Sequence, residues 1–319
     1  MTEKSMKNKT ENKAPNKNNN LDNKDAKEEE QVILTPWKLV KRKFKKNKVA
    51  VTGMIIFIIM VLLALLAPVL TPYDPYAMDF SQVNQAPSKT HLLGTDELGR
   101  DYLTRILYGG RVSMKVGLFA VIIEILIGAL VGGLAGYYGG WVDNLLMRIV
   151  EIFMAFPFLP IAITISAVIG PEVAPEKRMY IMMFIIGLLS WGGLARMIRG
   201  QILSLREQEF IQAAKALGIR DSRIIWKHLI PNTLGYIIVS ATLGMAGAIM
   251  SEAGLSFLGL GVTPPVPTWG NLVQNARDIY VLKNRIWLWL PPGVAIFFAV
   301  MSINLFGDGL RDAIDPKSK

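Results

Sequence analysis

Six long apolar stretches dominate the pattern of hydrophobic and polar positions along the 319-residue chain. Each is close to or above the roughly 20 residues that an α-helix needs to cross about 30 Å of hydrocarbon. Buried helices of a large soluble protein do not explain them, because six such stretches leave too little polar surface. The pattern predicts an all-α polytopic membrane protein with six transmembrane helices, in the ranges 49–70, 116–137, 141–170, 179–195, 234–260 and 286–306.

Prolines and glycines indicate where these helices break or pack. Pro157 and Pro160 fall inside the third stretch and predict a kink or a break. The segment 71–112 contains three prolines and is predicted to lack regular structure, except for a short surface helix over 101–108. The second stretch has a glycine at every fourth position on one helix face, which favours close approach of a neighbouring helix; these are Gly128, Gly132, Gly136 and Gly140.

Composition divides the chain into three parts. Residues 1–36 hold seven lysines and seven acidic residues, with too little apolar surface to offset chain entropy, so they are predicted to be a disordered cytoplasmic tail. Residues 37–112 comprise a basic anchor, the first transmembrane helix and an outer segment. Residues 113–316 are predicted to form a five-helix core with a polar cytoplasmic loop at 200–232.

Charge predicts the orientation of the chain in the membrane. The net charge is +10, but most of it comes from residues 37–48, which hold seven Lys/Arg and no acid. Because the chain is not basic throughout, nucleic acid is not expected as a partner. The segments assigned to the inner side hold 18 Lys/Arg and those assigned to the outer side hold 9. By the positive-inside rule, the chain is a multi-pass protein of the plasma or inner membrane, with both termini in the cytoplasm.

Several kinds of chemistry find no support in the sequence. Cysteine is absent and there are two histidines, so neither a metal site nor a His-based catalytic cluster is expected. No G-x-x-x-x-G-K-[ST] motif is present, so the chain is not expected to bind ATP itself. No catalytic residue and no cofactor of this chain is predicted.

The polar loop carries the most informative motif. Its sequence Glu-Phe-Ile-Gln-Ala-Ala-Lys-Ala-Leu-Gly covers 209–218, and nine residues separate it from His-Leu-Ile-Pro at 228–231. This resembles the "EAA" loop of importer-type ABC permeases, although Gln212 replaces the usual Glu and His228 the usual Ile. The small alanine face suits close docking, Gly218 permits a turn, and Pro231 suits the first turn of the next membrane helix. The resemblance implies a helix–turn–helix that docks on a separate ATPase; the coupling residues are Glu209, Gln212, Ala213, Ala214, Gly218, Asp221 and Pro231.

Two further motifs narrow the subfamily. Leu-Gly-Thr-Asp-Glu-Leu-Gly-Arg-Asp occupies 93–101, and Ser-Glu-Ala-Gly-Leu-Ser-Phe-Leu-Gly-Leu-Gly occupies 251–261, followed by Pro-Thr-Trp-Gly at 267–270. The C-terminal motifs at 307–312 and 315–316 fit the same pattern. These motifs resemble peptide and nickel permeases of the dipeptide/oligopeptide class, specifically the second of their two paired permeases, the oligopeptide or dipeptide permease C type. The resemblance covers 38–316 and implies the type I ABC importer permease (MetI-like) fold.

Charged residues within predicted membrane helices are candidates for a substrate path. Glu252, beside Ser251, could meet the amino terminus of a peptide or pair with an arginine of the partner permease. Glu151 follows Arg148 by three positions, a spacing that suits a pair within one helix. Glu124 has no evident partner in the sequence. The candidate path residues are therefore Ser251, Glu252 and Glu124.

The resemblance implies a transmembrane subunit of an ATP-driven importer of oligopeptides or dipeptides. Its expected partners are a homologous second permease, two ATPase subunits that bind ATP and Mg, an extracytoplasmic peptide-binding protein and the lipid bilayer. A nickel or metallophore permease is an alternative, because it shares these motifs. A secondary transporter would need coupling-ion residues and usually an internal repeat, and the sequence shows neither. A membrane enzyme finds no support, because no catalytic cluster is present.

Overall fold

A computed structural model describes residues 36–314, and the predicted tail and the 315–316 motif lie outside this range apart from Pro36. From Val40 onward the described residues form one compact unit. Within the described residues the regular structure is helical, as predicted. The helices are α1 (Pro36–Lys46), α2 (Lys48–Leu65), α3 (Ala67–Leu70), α4 (Tyr102–Tyr138), α5 (Gly140–Ala155), α6 (Phe158–Ile169), α7 (Pro175–Leu205), α8 (Glu209–Ala216), α9 (Asp221–Ile224), α10 (Ile230–Phe257), α11 (Trp269–Val273), α12 (Ile279–Asn284) and α13 (Leu290–Ile314).

Five helical segments of the described chain are long and apolar enough to cross a membrane singly: α2, α4, α7, the continuous run Asp221–Phe257 and α13. The sixth predicted crossing is the pair α5 and α6, which passes the same test jointly but is bent by 80°. The bend falls at Pro157, whose backbone has no N–H to donate and adopts an extended conformation before α6. The predicted break is therefore confirmed.

The glycine face of α4 packs against α7, as the four-residue spacing predicts. A β-carbon on Gly128 would lie 2.9 Å from Leu194, and one on Gly136 would lie 2.8 Å from Ile202. A β-carbon on Gly132 would collide with the carbonyl oxygen of Ala195. Gly140 is the exception, because it begins α5 and has no neighbour within 4 Å among the described residues.

The helix α4 begins at Tyr102, which corrects two predictions. The surface helix expected over 101–108 is the first part of α4 itself, and the predicted boundary at 112/113 falls inside that helix. Asp101 caps it, because its carboxylate accepts hydrogen bonds from the backbone and hydroxyl of Thr104 at 2.8 and 2.6 Å. Tyr102 is fully buried. The first turns of α4 can therefore contain polar residues and still continue into the membrane-spanning part of the helix. Neighbouring polar segments cover these turns.

The polar loops lie on two sides of the helices, named here for the ends of α4. On the Tyr102 side, the Tyr102 hydroxyl donates to the carbonyl of Leu272 at 3.2 Å, and Arg178 donates to Thr263 at 3.2 Å. On the Tyr137 side, Arg199 forms a two-pronged pair with Asp143 at 2.5 Å. Asp143 lies near the start of α5, and Arg178 lies in the first turn of α7, the helix that follows α6. The bent pair α5–α6 therefore leads from the Tyr137 side to the Tyr102 side.

Candidate coupling surface and substrate path

The predicted loop at 200–232 contains less irregular chain than expected. The helix α7 continues to Leu205 and the next helical run begins at Asp221, so α8 is held between two short connections. Gly218 follows α8 with φ +70°, a conformation that costs little only without a β-carbon. The amides of Gly218 and Ile219 donate back to the carbonyls of Lys215 and Ala214 at 2.9 and 3.1 Å. Gly218 thus makes the turn that its position predicts.

One face of α8 anchors it to the membrane helices. Ile211 and Ala214 are buried in an apolar cluster that includes Ile198 and Ile202 of α7 and Ile224 of α9. Ala213 lies on the opposite side and is exposed. The alanine pair therefore does not form one docking face: Ala214 packs inward and only Ala213 faces outward.

The outward face of α8 carries large apolar side chains that sequence reasoning missed. Phe210 is 46% exposed and Leu217 is 80% exposed. With Ala213 they stand three and four residues apart, so they share one helix face. This i, i+3, i+7 apolar pattern, on the face opposite Ile211, is visible in the sequence and would have predicted the exposed apolar face. Glu209 and Gln212 beside them are also exposed.

Gln212 has a contact that the usual glutamate could not make. Its Nε2 donates to the carbonyl of Arg206 at 3.0 Å, which satisfies one of the free carbonyls at the end of α7. A carboxylate has no hydrogen to donate there. Arg206 in turn donates to the carbonyl of Gly136 at 3.1 Å, which connects this loop to the end of α4.

Asp221 provides a second connection to α4. The hydroxyl of Tyr137 donates to Oδ1 of Asp221 at 2.6 Å, and the ammonium of Lys215 lies 5.1 Å from the centre of the Tyr137 ring. Nothing in the sequence pairs Tyr137 with this loop, because the two are separated by 84 positions. Only the packing of α4 on α7 places them together.

Pro231 does not begin the membrane helix. The chain is helical from Asp221, passes through a π-turn at Ile225–Leu229, and resumes α-helical geometry at Ile230. Pro231 therefore lies in the first turn of α10, as predicted, but inside a continuous helical run. The wider turn accommodates a residue that has no N–H and would otherwise clash with the preceding turn.

The motif at 93–101 forms a compact cap at the Tyr102 end of α4. Asp96 accepts from the backbone of Leu98 and Arg100 at 2.9 and 3.0 Å and pairs with the Arg100 side chain at 2.8 Å. His91 bridges Asp101 and Gln82 at 2.8 and 2.9 Å. Beside it, hydrogen bonds from the side chain and backbone of Ser81 hold the pKa of Asp79 below its usual range. The motif is thus structural.

The motif at 251–270 converges on Glu252. This residue is 0% exposed, and its two carboxylate oxygens accept from Ser113 at 2.9 Å and Ser256 at 2.7 Å. Ser113 also accepts from the backbone N–H of Trp269, whose indole donates to the carbonyl of Ile106 at 3.0 Å. Glu252 is therefore satisfied by hydrogen bonds within the described chain. Its contacts fix the segment after α10 to α4.

The other candidate residues have different surroundings. Ser251 is partly exposed on α10, and Glu124 is almost fully buried within α4. Glu151 pairs with Arg148 at 3.1 Å on the surface, as its spacing predicts. Within residues 36–314 there is no group of three His, Asp or Glu side chains that could hold a metal ion.

Comparison with known proteins gives two family matches. Residues 125–319 match the family described as binding-protein-dependent transport system inner membrane component. Residues 35–87 match the N-terminal transmembrane domain of oligopeptide transport permease C.

Similar proteins align along nearly the whole chain. A dipeptide transport system permease protein of Alkalihalophilus pseudofirmus is 42% identical over 92% of this chain and 93% of its own length. A putative peptide permease protein of Brucella suis is 39% identical over 87% and 90%, respectively. A glutathione transport system permease protein of Escherichia coli is 40% identical over 90% and 92%.

Proposed function

The chain belongs to the family of binding-protein-dependent transport system inner membrane components, and we propose that it is the C-type permease subunit of an ATP-driven peptide importer. It forms the translocation path together with a homologous second permease. Two separate ATPase subunits bind ATP and Mg and hydrolyse the nucleotide, and an extracytoplasmic protein delivers the peptide. The chain itself contributes no catalytic residue.

The observation that carries the coupling role is the outward face of α8. Phe210, Ala213 and Leu217 expose apolar surface on a helix whose opposite face is firmly packed. An exposed apolar patch with a polar rim is typical of a protein interface. We assign this face to a cleft of the ATPase subunit, with Glu209 and Gln212 at its edge.

The contacts behind α8 provide the route by which movement of the ATPase reaches the membrane helices. Asp221 begins the continuous helical segment that ends at Phe257, and it accepts a hydrogen bond from Tyr137 of α4. Arg206, at the end of α7, is bonded to the carbonyl of Gly136 of α4. Displacement of α8 therefore moves α4, α7 and α10 as linked bodies, because each is tied to the same short segment.

The orientation follows from this assignment. The Tyr137 side faces the cytoplasm, where the ATPases lie, and the Tyr102 side faces outward toward the binding protein. The segments that the sequence assigns to the inner side hold twice as many Lys/Arg as those assigned to the outer side, which supports the same orientation. With six crossings, both termini are cytoplasmic.

Peptides are the proposed substrate class. The similar proteins named above carry dipeptides, peptides or glutathione in their names. A nickel or metallophore permease is not favoured by these relatives, and a secondary transporter is not favoured by the family match.

Uptake in living cells tests this function. Labelled di- to pentapeptides and chelated nickel would be offered to cells with and without this chain, in a background that lacks other peptide importers. We expect peptide uptake to disappear without the chain and nickel uptake to stay unchanged. Loss of nickel uptake with peptide uptake intact would overturn the peptide assignment while leaving the family assignment in place.

A further inference from the structure

Glu124 is an ionisable residue that has no partner among the described residues of the helix bundle. It lies near the middle of α4 and is 8% exposed. In the described part of the chain its carboxylate accepts no hydrogen bond and forms no ion pair, whereas Glu252 uses both of its oxygens. An ionisable side chain at this depth is costly, and such residues usually mark a substrate or ion pathway.

The carboxylate of Glu124 faces a glycine of the neighbouring helix α10, at a position that has no side chain. A β-carbon placed on Gly244 of α10 would lie 2.9 Å from Oε2 of Glu124 and 3.4 Å from Val121. Any side chain at position 244 would therefore press on the carboxylate. Glycine leaves it room to reach the surface of α10.

That surface is a stripe of small residues, defined here as the α10 stripe. Its members are three or four positions apart and so share one helix face. Each is at least partly exposed, and a β-carbon added to Gly247 or to Gly254 would meet no described atom within 4 Å. The two hydroxyls have no hydrogen-bond partner among the described residues. The α10 stripe consists of Ser240, Gly244, Gly247, Ser251 and Gly254.

The α10 stripe differs from the faces that suit lipid. Other exposed faces of the membrane helices present large apolar side chains, such as Ile59 on α2, Leu126 on α4 and Phe297 on α13. Glycine offers hydrocarbon little apolar contact area, and hydrocarbon cannot satisfy a serine hydroxyl that has no partner. This face therefore suits a polar occupant with its own hydrogen-bonding groups.

We propose that Glu124 and the α10 stripe form a recognition site for a primary ammonium group, the amino terminus of a peptide in transit. This inference rests on the proposed function. The carboxylate supplies the charge that the ammonium needs, and the stripe lets an extended backbone lie close to α10. The stripe from Ser240 to Gly254 is about 21 Å long, which matches about six residues of extended peptide.

A metal cation is a poorer occupant of the same site. The two hydroxyls of the stripe, Ser240 and Ser251, are four and seven residues from Gly244, or about 6 and 10 Å along the helix axis. One carboxylate without further ligands in reach does not provide the six or more oxygens that hard cations require. A single ammonium needs only a few acceptors.

The test uses proteoliposomes that contain the complete importer with saturating binding protein. The maximal uptake rate of a labelled tripeptide is compared with that of its analogue in which a hydroxyl replaces the terminal amine. Glu124→Gln and Gly244→Ala are the test variants, and Glu151→Gln, which removes an exposed carboxylate, is the matched control. ATP hydrolysis without peptide reports assembly of each variant.

We expect Glu124→Gln to lower the uptake of the amino peptide severalfold and to leave the hydroxy analogue unchanged, so that the preference of the wild type disappears. Gly244→Ala should act in the same direction, and Glu151→Gln should match the wild type. Equal losses for both peptides, or no loss in either variant, would overturn the ammonium site. A different outcome is that Glu124→Gln abolishes basal hydrolysis and that neutralising a basic residue of the second permease restores it. That result would overturn the ammonium site and show that Glu124 pairs with the second permease. A wild-type importer that transports neither peptide would refute the proposed function rather than this site.

Discussion

Gly99 and Gly218 both adopt positive φ, but the space around them differs. At Gly99, with φ +72°, a β-carbon would collide with the carbonyl of Asp79. At Gly218, with φ +70°, no described atom lies within 4 Å of that position. The first glycine is required by close approach of two chain segments, and the second only by the backbone conformation.

Replacement of Gly99 therefore has a clear expected effect. Gly99→Ala should destabilise the protein by at least about 1–3 kcal/mol from backbone strain, and the collision with Asp79 adds to this. Gly200→Ala is the control, because Gly200 is helical and has no described neighbour within 4 Å. There alanine should be neutral or stabilising by about 0.5–1 kcal/mol. Thermal unfolding in detergent compares the two, and equal stabilities would contradict the structural role of the 93–101 motif.

The hydrogen bond between Tyr137 and Asp221 should affect how peptide transport is coupled to ATP hydrolysis. Tyr137→Phe and Asp221→Ala each remove this bond, worth about 1 kcal/mol, and should lower peptide-stimulated ATP hydrolysis severalfold. Asp221→Asn keeps an oxygen that can accept from the tyrosine hydroxyl, so it should retain most of the stimulation. Hydrolysis would be measured with the reconstituted importer. If all three variants behaved alike, the hydrogen bond between Tyr137 and Asp221 would not be the contact that couples α4 to ATP hydrolysis.

At the level of helices, the sequence predicted what local composition determines. The apolar stretches, the break at Pro157 and the turn at Gly218 all follow from a few neighbouring residues and are found. The start of α4 at Tyr102 was missed, because polar residues there are satisfied by distant segments. Tyr102 itself bonds to Leu272, 170 positions away.

The same limit applies to the candidate site. Glu124 and Glu252 look alike in sequence, since both are acidic residues in apolar helices. The structure distinguishes them: two serines satisfy Glu252, and one of these comes from a different helix. Glu124 faces a glycine and remains unpaired among the described residues. No local pattern contains that difference.

The helix α8, which we propose docks on the ATPase, should depend on the conformation of Gly218. Gly218→Trp is expected to leave the chain inserted in the membrane but to prevent association with the ATPase, because a bulky residue strains the left-handed turn and displaces Leu217. Gly218→Asn is the matched control, since asparagine tolerates this conformation. Co-purification of the ATPase and peptide uptake would both be measured. Survival of both in Gly218→Trp would refute the docking role of this segment.

Across the whole molecule, the contacts at the ends of the helices sort the loops into two sides. The bent pair α5–α6 joins the Tyr137 side to the Tyr102 side, which favours six crossings over five. This conclusion requires long-range contacts, because length and composition alone leave the bent pair ambiguous between a broken span and a re-entrant loop.

The absence of cysteine from the sequence makes the topology directly measurable. Single cysteines at Ser88 and Ser222, both exposed, would be probed with a membrane-impermeant maleimide. We expect labelling of Ser88→Cys in intact cells, and of Ser222→Cys only after the membrane is opened. Labelling of both in intact cells would contradict the proposed orientation and the six-crossing topology.

We propose that this chain imports peptides with energy from ATP hydrolysed by separate subunits. The most direct test is accumulation of a labelled tripeptide in proteoliposomes that hold the complete importer, with and without ATP on the Tyr137 side. All ion gradients are collapsed during the measurement. We predict that the peptide accumulates only when ATP is supplied and that Gly218→Trp abolishes the accumulation. In a second assay without ATP, accumulation driven by an imposed ion gradient would contradict the proposed function.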